Sequence, residues 1–137
     1  MTPSPRLAAV DIGTNSVLLL IAARGPDGSL EAVHESCTIT RLGQGVDATG
    51  RIADEAYERT VAELRRCAAT MHDHDVGPRG ALGTSALRDA DNGAALREEA
   101  AAILGGLLQV VDGAREAALV LAGVRSSFGA LPPGTVL

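Results

Sequence analysis

The stretch RLAAVDIGTNSVLLLIAA, residues 6–23, holds two nearly continuous apolar segments, Arg6–Asp11 and Ser16–Ala23, parted by the turn Gly13-Thr14-Asn15. Apolar runs of this length read as strands buried within a sheet. Gly25-Pro26-Asp27-Gly28 is a second turn, made of residues that accept turn geometry. Leu30–Ile39 follows, with β-branched Val33, Thr38 and Ile39, and reads as a third strand. The chain is therefore expected to open as a three-stranded antiparallel meander. Of its two turns, the first is the chemically unusual one.

Outward from the meander, Arg41–Gly50 carries three glycines in ten residues and reads as loop. Ala53–His72 reads as a helix, because Ala56, Thr60, Leu64, Cys67 and Met71 recur at three-and-four spacing. Asp54 and Glu55 stand at its start, where the helix dipole favours acids. After Gly77-Pro78, Arg79–Gly83 reads as a short strand and Ala94–Leu104 as a second helix closed by Gly105-Gly106. Leu107–Val111 and Ala114–Ser126 form a last strand and helix. A meander followed by strand–helix units predicts an α/β fold, a five-stranded mixed sheet with helices on both faces. Gly129–Gly134 then reads as loop and Thr135-Val136-Leu137 as the first residues of another strand. The expectation is one lobe over residues 1–128, with 129–137 starting a connection to a second lobe absent from this chain.

Composition narrows the function classes. The 137 residues are 46% hydrophobic, but 24 of them are alanine, so Val, Leu and Ile must build the core. Tyr57 and Phe128 are the only aromatics, too few for a module that stacks nucleic-acid bases. All 12 basic residues are arginine, and 17 acids leave a net charge of −5, which argues against a nucleic-acid scaffold. The longest unbroken apolar run, Val17–Ala23, is far short of a membrane span, and residues 1–5 have no signal-peptide character. Cys37 and Cys67 stand 30 positions apart without a CxxC partner, which reads as a reduced, cytoplasmic chain.

Three segments at strand ends carry candidate chemistry. In Asp11-Ile12-Gly13-Thr14-Asn15-Ser16, a carboxylate precedes a glycine whose small size lets consecutive N–H groups approach a ligand, as in phosphate cradles. Asp11 is suited to Mg²⁺, directly or through water. In Gly83-Thr84-Ser85-Ala86-Leu87-Arg88, two hydroxyls end a strand and a guanidinium follows, the planar donor fork that matches phosphate. In Asp112-Gly113-Ala114-Arg115-Glu116, a strand runs into a helix with Asp112 as its N-cap and Glu116 in its first turns. Each has an ordinary alternative taken alone: a hairpin turn, a capped helix start, a routine acid near an N-terminus. Three of them at strand ends point to one site. The run His72-Asp73-His74-Asp75 looks metal-like, but its spacing separates the histidines around a helix end, and it reads as solvated surface.

The ordered set of segments resembles the N-terminal domain of the exopolyphosphatase / guanosine pentaphosphate phosphatase (Ppx/GppA) family, within the actin, sugar-kinase and heat-shock-chaperone superfamily. Asp11–Ser16 is similar to its first phosphate loop. Arg41-Leu42-Gly43-Gln44-Gly45 with Thr49-Gly50 resembles its second signature, and Thr84–Ala90 with Asn92 its third. Gly113-Ala114-Arg115-Glu116-Ala117 with Gly123-Val124 resembles the fourth. The resemblance implies a ribonuclease-H-like (actin-like ATPase) domain and a Mg²⁺-dependent hydrolase of phosphoanhydrides. Its substrates would be inorganic polyphosphate, losing terminal phosphate, or the alarmone pppGpp, converted to ppGpp. It implies phosphate binding by Gly13, Thr14, Asn15, Ser16, Thr84, Ser85 and Arg88, a metal on Asp11, and a water-activating role for Glu116.

In one respect the chain departs from the family, which usually has two adjacent acids where Arg115 and Glu116 stand and a hydroxyl residue at Asp112. Two other functions remain open: a non-catalytic sensor of polyphosphate or alarmone, and a kinase-like lobe. The apolar face that a second lobe would cover also suggests a homodimer.

Overall fold

A computed structural model describes residues 5–106 and 108–129. Three strands form the meander: β1 (Arg6–Ile12), β2 (Ser16–Arg24) and β3 (Leu30–Ile39). The helical turn α1 (Val46–Thr49) and the long helix α2 (Asp54–Asp73) follow, then strand β4 (Pro78–Gly83). Helices α3 (Ser85–Asp89) and α4 (Gly93–Ile103), strand β5 (Leu108–Val110) and helix α5 (Gly113–Phe128) complete the described chain.

The five strands make one mixed sheet in the order β3-β2-β1-β4-β5. β1 and β2 are antiparallel, with Asp11 opposite Leu18, and β2 and β3 are antiparallel as well. β4 lies parallel to β1, with Ile12 beside Gly83, and β5 lies parallel to β4, with Gly83 beside Val110. The carboxyl ends of β1, β4 and β5 therefore meet at one edge of the sheet. That edge is where ligands bind in open α/β sheets, because the loops leaving it converge there.

Alternation along the strands decides which face is core. Ala8, Val10 and Ile12 of β1 and Val17, Leu19 and Ile21 of β2 are buried. They pack with Leu64, Cys67 and Met71 of α2 and with Leu96 and Ala100 of α4. Residues between them on the strands point to the other face. Asp11 is one of these, and Glu116, in the first turn of α5, is close enough to act on the Asp11 carboxylate.

Two short helices stand out, α1 in a segment expected to be loop and α3 where a capped helix start was one of the two readings. α1 is a single turn held between Gly45 and Gly50, with Val46 buried beneath it. α3 runs through the segment that follows the fourth strand, burying Ala86 and Leu87. Neither is long enough for a helical period to appear in the sequence. β5 is shorter than its expected range: Val111 lies beyond its end yet still donates its N–H to the Gly83 carbonyl at 3.0 Å. The expected strand position Leu107, the loop over 130–134 and the strand start at Thr135–Leu137 lie outside the described residues. No helix among the described residues is long and apolar enough to cross a membrane.

Candidate functional site

The loop after β1 is held in shape by its own backbone. Gly13 donates its N–H to the Ser16 carbonyl at 2.9 Å, closing the turn that carries Thr14 and Asn15. The segment after β3 buttresses it from one side. Thr40 and Arg41 both donate backbone N–H groups to the Asn15 carbonyl, at 3.0 and 2.9 Å, and Gly43 donates to the Thr14 carbonyl at 2.8 Å. A side chain at Gly43 would overlap Thr14 Cγ2, so only glycine permits this approach. Arg41 adopts a left-handed backbone, φ 51°, an uncommon conformation for a residue with a side chain. The sequence marked Arg41–Gly45 only as resembling a family signature; the structure sets it against the first loop, where these N–H groups occupy the carbonyls of Thr14 and Asn15. Among the described residues, the loop's own amides at Thr14 and Asn15 donate to no protein group.

The segment after β4 joins from the other side. Thr84 donates its backbone N–H to the Ile12 carbonyl at 3.2 Å, and its buried hydroxyl donates to the same oxygen at 3.4 Å. Ser85 Oγ lies 2.8 Å from Thr14 Oγ1, a hydroxyl pair that bridges the first and third segments. Of the two adjacent hydroxyls, Ser85 faces the first loop and Thr84 is spent on the strand.

Arg88 sits at the end of α3. It donates from Nη1 to the Val111 carbonyl at 3.2 Å, tying the third segment to the turn before α5. Its Nε and Nη2 pair with the Asp89 carboxylate at 2.8 and 2.9 Å. Asp89 reinforces the Arg88 charge, and Asp112 and Glu116 add to it at longer range. Asp112 is the N-cap of α5 as expected, its carboxylate accepting from the Arg115 backbone N–H at 2.8 Å. Arg115 thus occupies the third helical position. Its departure from the family pattern is accommodated through its own main chain, and among the described residues its guanidinium joins no ion pair.

Asp11 lies at the centre of this arrangement. Burial raises its pKa above the ordinary carboxylate range, and the nearby Glu116 carboxylate raises it further. Its Oδ1 is buried and accepts no hydrogen bond among the described residues. A buried carboxylate oxygen without a donor is costly to keep charged unless a cation reaches it. A hard divalent cation answers both features. No group of three or more His, Cys, Asp or Glu side chains among the described residues is arranged to hold a metal alone. The single unpartnered carboxylate oxygen of Asp11 is compatible with Mg²⁺, an ion that keeps several waters and shares substrate oxygens.

The structure thus brings Asp11, Gly13, Thr14, Asn15, Ser85, Arg88 and Glu116 to one sheet edge, with Ser16 starting β2 and Thr84 just beneath. The partners of several supporting residues were not visible in the sequence. Asp89 holds Arg88. Arg59 of α2 donates from Nε and Nη2 to the Thr40 carbonyl at 3.1 and 3.0 Å, fixing the residue whose N–H supports Asn15. Asn92 pins Ile52, accepting from its N–H and donating to its carbonyl, both at 2.9 Å. Such bonds join residues distant in sequence and leave no local pattern. A separate open groove of about 600 Å³ runs between α2 and α4, lined by Tyr57, Arg65 and Glu99 among others.

Comparison with known proteins gives the family to which this fold and sequence are similar. A sequence profile described as the Ppx/GppA phosphatase family matches residues 20–137. An exopolyphosphatase 2 of Mycobacterium tuberculosis is 42% identical, the match covering 90% of this chain and 41% of that protein. A guanosine-5′-triphosphate,3′-diphosphate pyrophosphatase of Vibrio parahaemolyticus is 33% identical over 92% of this chain and 25% of that protein. The chain therefore spans about two fifths and a quarter of these relatives' lengths. A crystal structure of an Aquifex aeolicus Ppx/GppA protein is similar with a TM-score of 0.84 at 30% identity, over 93% of this chain and 42% of that one.

Proposed function

Because the chain belongs to the Ppx/GppA phosphatase family, we propose that it is the N-terminal lobe of a two-lobed hydrolase of phosphoanhydrides. The hydrolase releases terminal phosphate from inorganic polyphosphate, converts pppGpp to ppGpp, or does both. The observation that carries this reading is the convergence at one sheet edge of a backbone cradle, a guanidinium and two carboxylates. The relatives' greater length supports the second lobe.

Each group has a part suited to phosphoryl transfer, which is chiefly positioning and neutralisation of charge. The amides of Gly13–Ser16 and the hydroxyls of Thr14 and Ser85 cradle the terminal phosphate, with Thr84 bracing the loop from below. Arg88 binds the phosphate through its guanidinium. Glu116 orients a water for attack on the terminal phosphorus and accepts its proton as the bridging P–O bond breaks. Asp11 holds Mg²⁺, which when bound neutralises phosphate charge. Without the second lobe, two copies of residues 1–137 pair through the apolar face that includes Leu18 and Leu20, 37% and 39% exposed. The setting is a reduced cytoplasm, in keeping with the two free cysteines.

The test is phosphate release by the full-length protein from long-chain polyphosphate and, separately, from pppGpp. Release from at least one is expected, with residues 1–137 alone inactive, because a half-site cannot surround the transition state with donors. Tight binding without release would favour the sensor, and ATP-dependent phosphorylation of a small molecule the kinase-like lobe. Comparable specific activity from the short chain would contradict the two-lobed site.

A further inference from the structure

Arg88 is not a free cation. Asp89 engages it through Nε and Nη2 together, at 2.8 and 2.9 Å. That is the two-pronged edge by which a guanidinium takes a carboxylate or a phosphate. With the Nη1 bond to the Val111 carbonyl at 3.2 Å, three of its five N–H donors are committed. The Val111 bond anchors the guanidinium at the strand end whichever anion holds the other edge. Asp112 and Glu116 also face Arg88, but the Asp112 carboxylate caps α5. Asp89 alone places both oxygens on the guanidinium. The pair is open to solvent, with side chains 39% and 55% exposed, so exchanging one anion for another carries little penalty.

We propose that Asp89 is a resident anion on Arg88, a stand-in for phosphate that substrate must displace and that weakens the grip on released phosphate. The inference rests on Arg88 being a phosphate ligand of this site. It adds to that reading a residue that sets affinity: every anion reaching Arg88 competes with, or is repelled by, a carboxylate within hydrogen-bond distance of the same group. The contrary role, a brace that aims Arg88 at substrate, predicts the opposite sign when the charge is removed.

The test is calorimetric titration of the full chain, its Asp89→Asn and Asp89→Ala variants, and Arg88→Gln, with tripolyphosphate and with inorganic phosphate. Both Asp89 variants should bind each probe about tenfold more tightly at low salt, the size expected from removing one nearby like charge. The gain should shrink to about twofold or less at 1 M salt, where screening is short-ranged. A folding defect would not produce a salt-dependent gain. Unchanged or weaker binding by both variants overturns the proposal and makes Asp89 a brace or a bystander. Arg88→Gln separates the two levels of argument. If it leaves binding unaltered, Arg88 is no phosphate ligand and the reading beneath the proposal fails. If it weakens binding while the Asp89 variants gain nothing, the proposal alone fails.

Discussion

Replacing Glu116 with glutamine should lower phosphate release by the full-length protein about 100-fold or more while substrate still binds, the loss expected when a general base is removed. Glu116 stands in the first turn of α5, behind the Asp112 cap and beside Asp11. Its carboxylate is near enough to Asp11 to help raise the Asp11 pKa, which sets it by the same sheet edge as the cradle. Glutamine keeps the shape and removes only the ability to take a proton. The loss should fall on kcat, with KM little changed, since the group acts on the water and not on ground-state binding. Thermal melting of the variant should match that of the parent, because Glu116 is exposed. Near-native turnover would remove Glu116 from the mechanism and leave Asp11 as the remaining carboxylate at the site.

Gly93→Ala should destabilise the fold by about 1–3 kcal/mol, the usual cost of overpacking. Helix propensity alone argues the reverse, a gain of about 1 kcal/mol for alanine over glycine inside a helix. The structure decides the sign. Gly93 is buried at the first turn of α4, and a Cβ there would overlap the Leu87 carbonyl oxygen and lie 3.1 Å from its carbon. The obstacle is backbone, which cannot rotate away. Leu87 is fully buried and precedes Arg88, so a forced shift of its carbonyl displaces the backbone that carries the guanidinium. Urea denaturation should show the loss in stability, and tripolyphosphate should bind the variant more weakly. A higher urea midpoint would mean that α3 and α4 have room to part.

The parts of this molecule that were legible in the sequence are those with a repeating pattern. β1 and β2 announce themselves as apolar runs, and α2 through Ala56, Thr60, Leu64, Cys67 and Met71, all but one of which join the hydrophobic core. The exception, Thr60, is buried too, its hydroxyl turned back to the Ala56 carbonyl at 2.8 Å. α1, four residues long, was not legible, and α3, five residues long, showed only as a capped start at Thr84 or Ser85. At the site, the sequence yields the residue types and their order along the chain, and the parallel pairing of β1 with β4 and of β4 with β5 explains why they meet. It does not yield partners. That Asp89 engages Arg88, that Thr84 turns its hydroxyl to Ile12, and that Arg59 braces Thr40 all depend on side-chain direction. Adjacent opposite charges at Arg88 and Asp89 are as common on idle surfaces as in sites.

The central claim is that phosphate binds where β1, β4 and β5 end. The most direct measurement is the change in backbone amide NMR shifts of the ¹⁵N-labelled chain on titration with tripolyphosphate and Mg²⁺. The account predicts the largest changes at Gly13, Thr14, Asn15 and Ser16, with Ser85, Arg88 and Glu116 next, and little along the groove between α2 and α4. Changes gathered instead around Tyr57, Arg65 and Glu99 in that groove, with the Gly13–Ser16 amides unmoved, would contradict it.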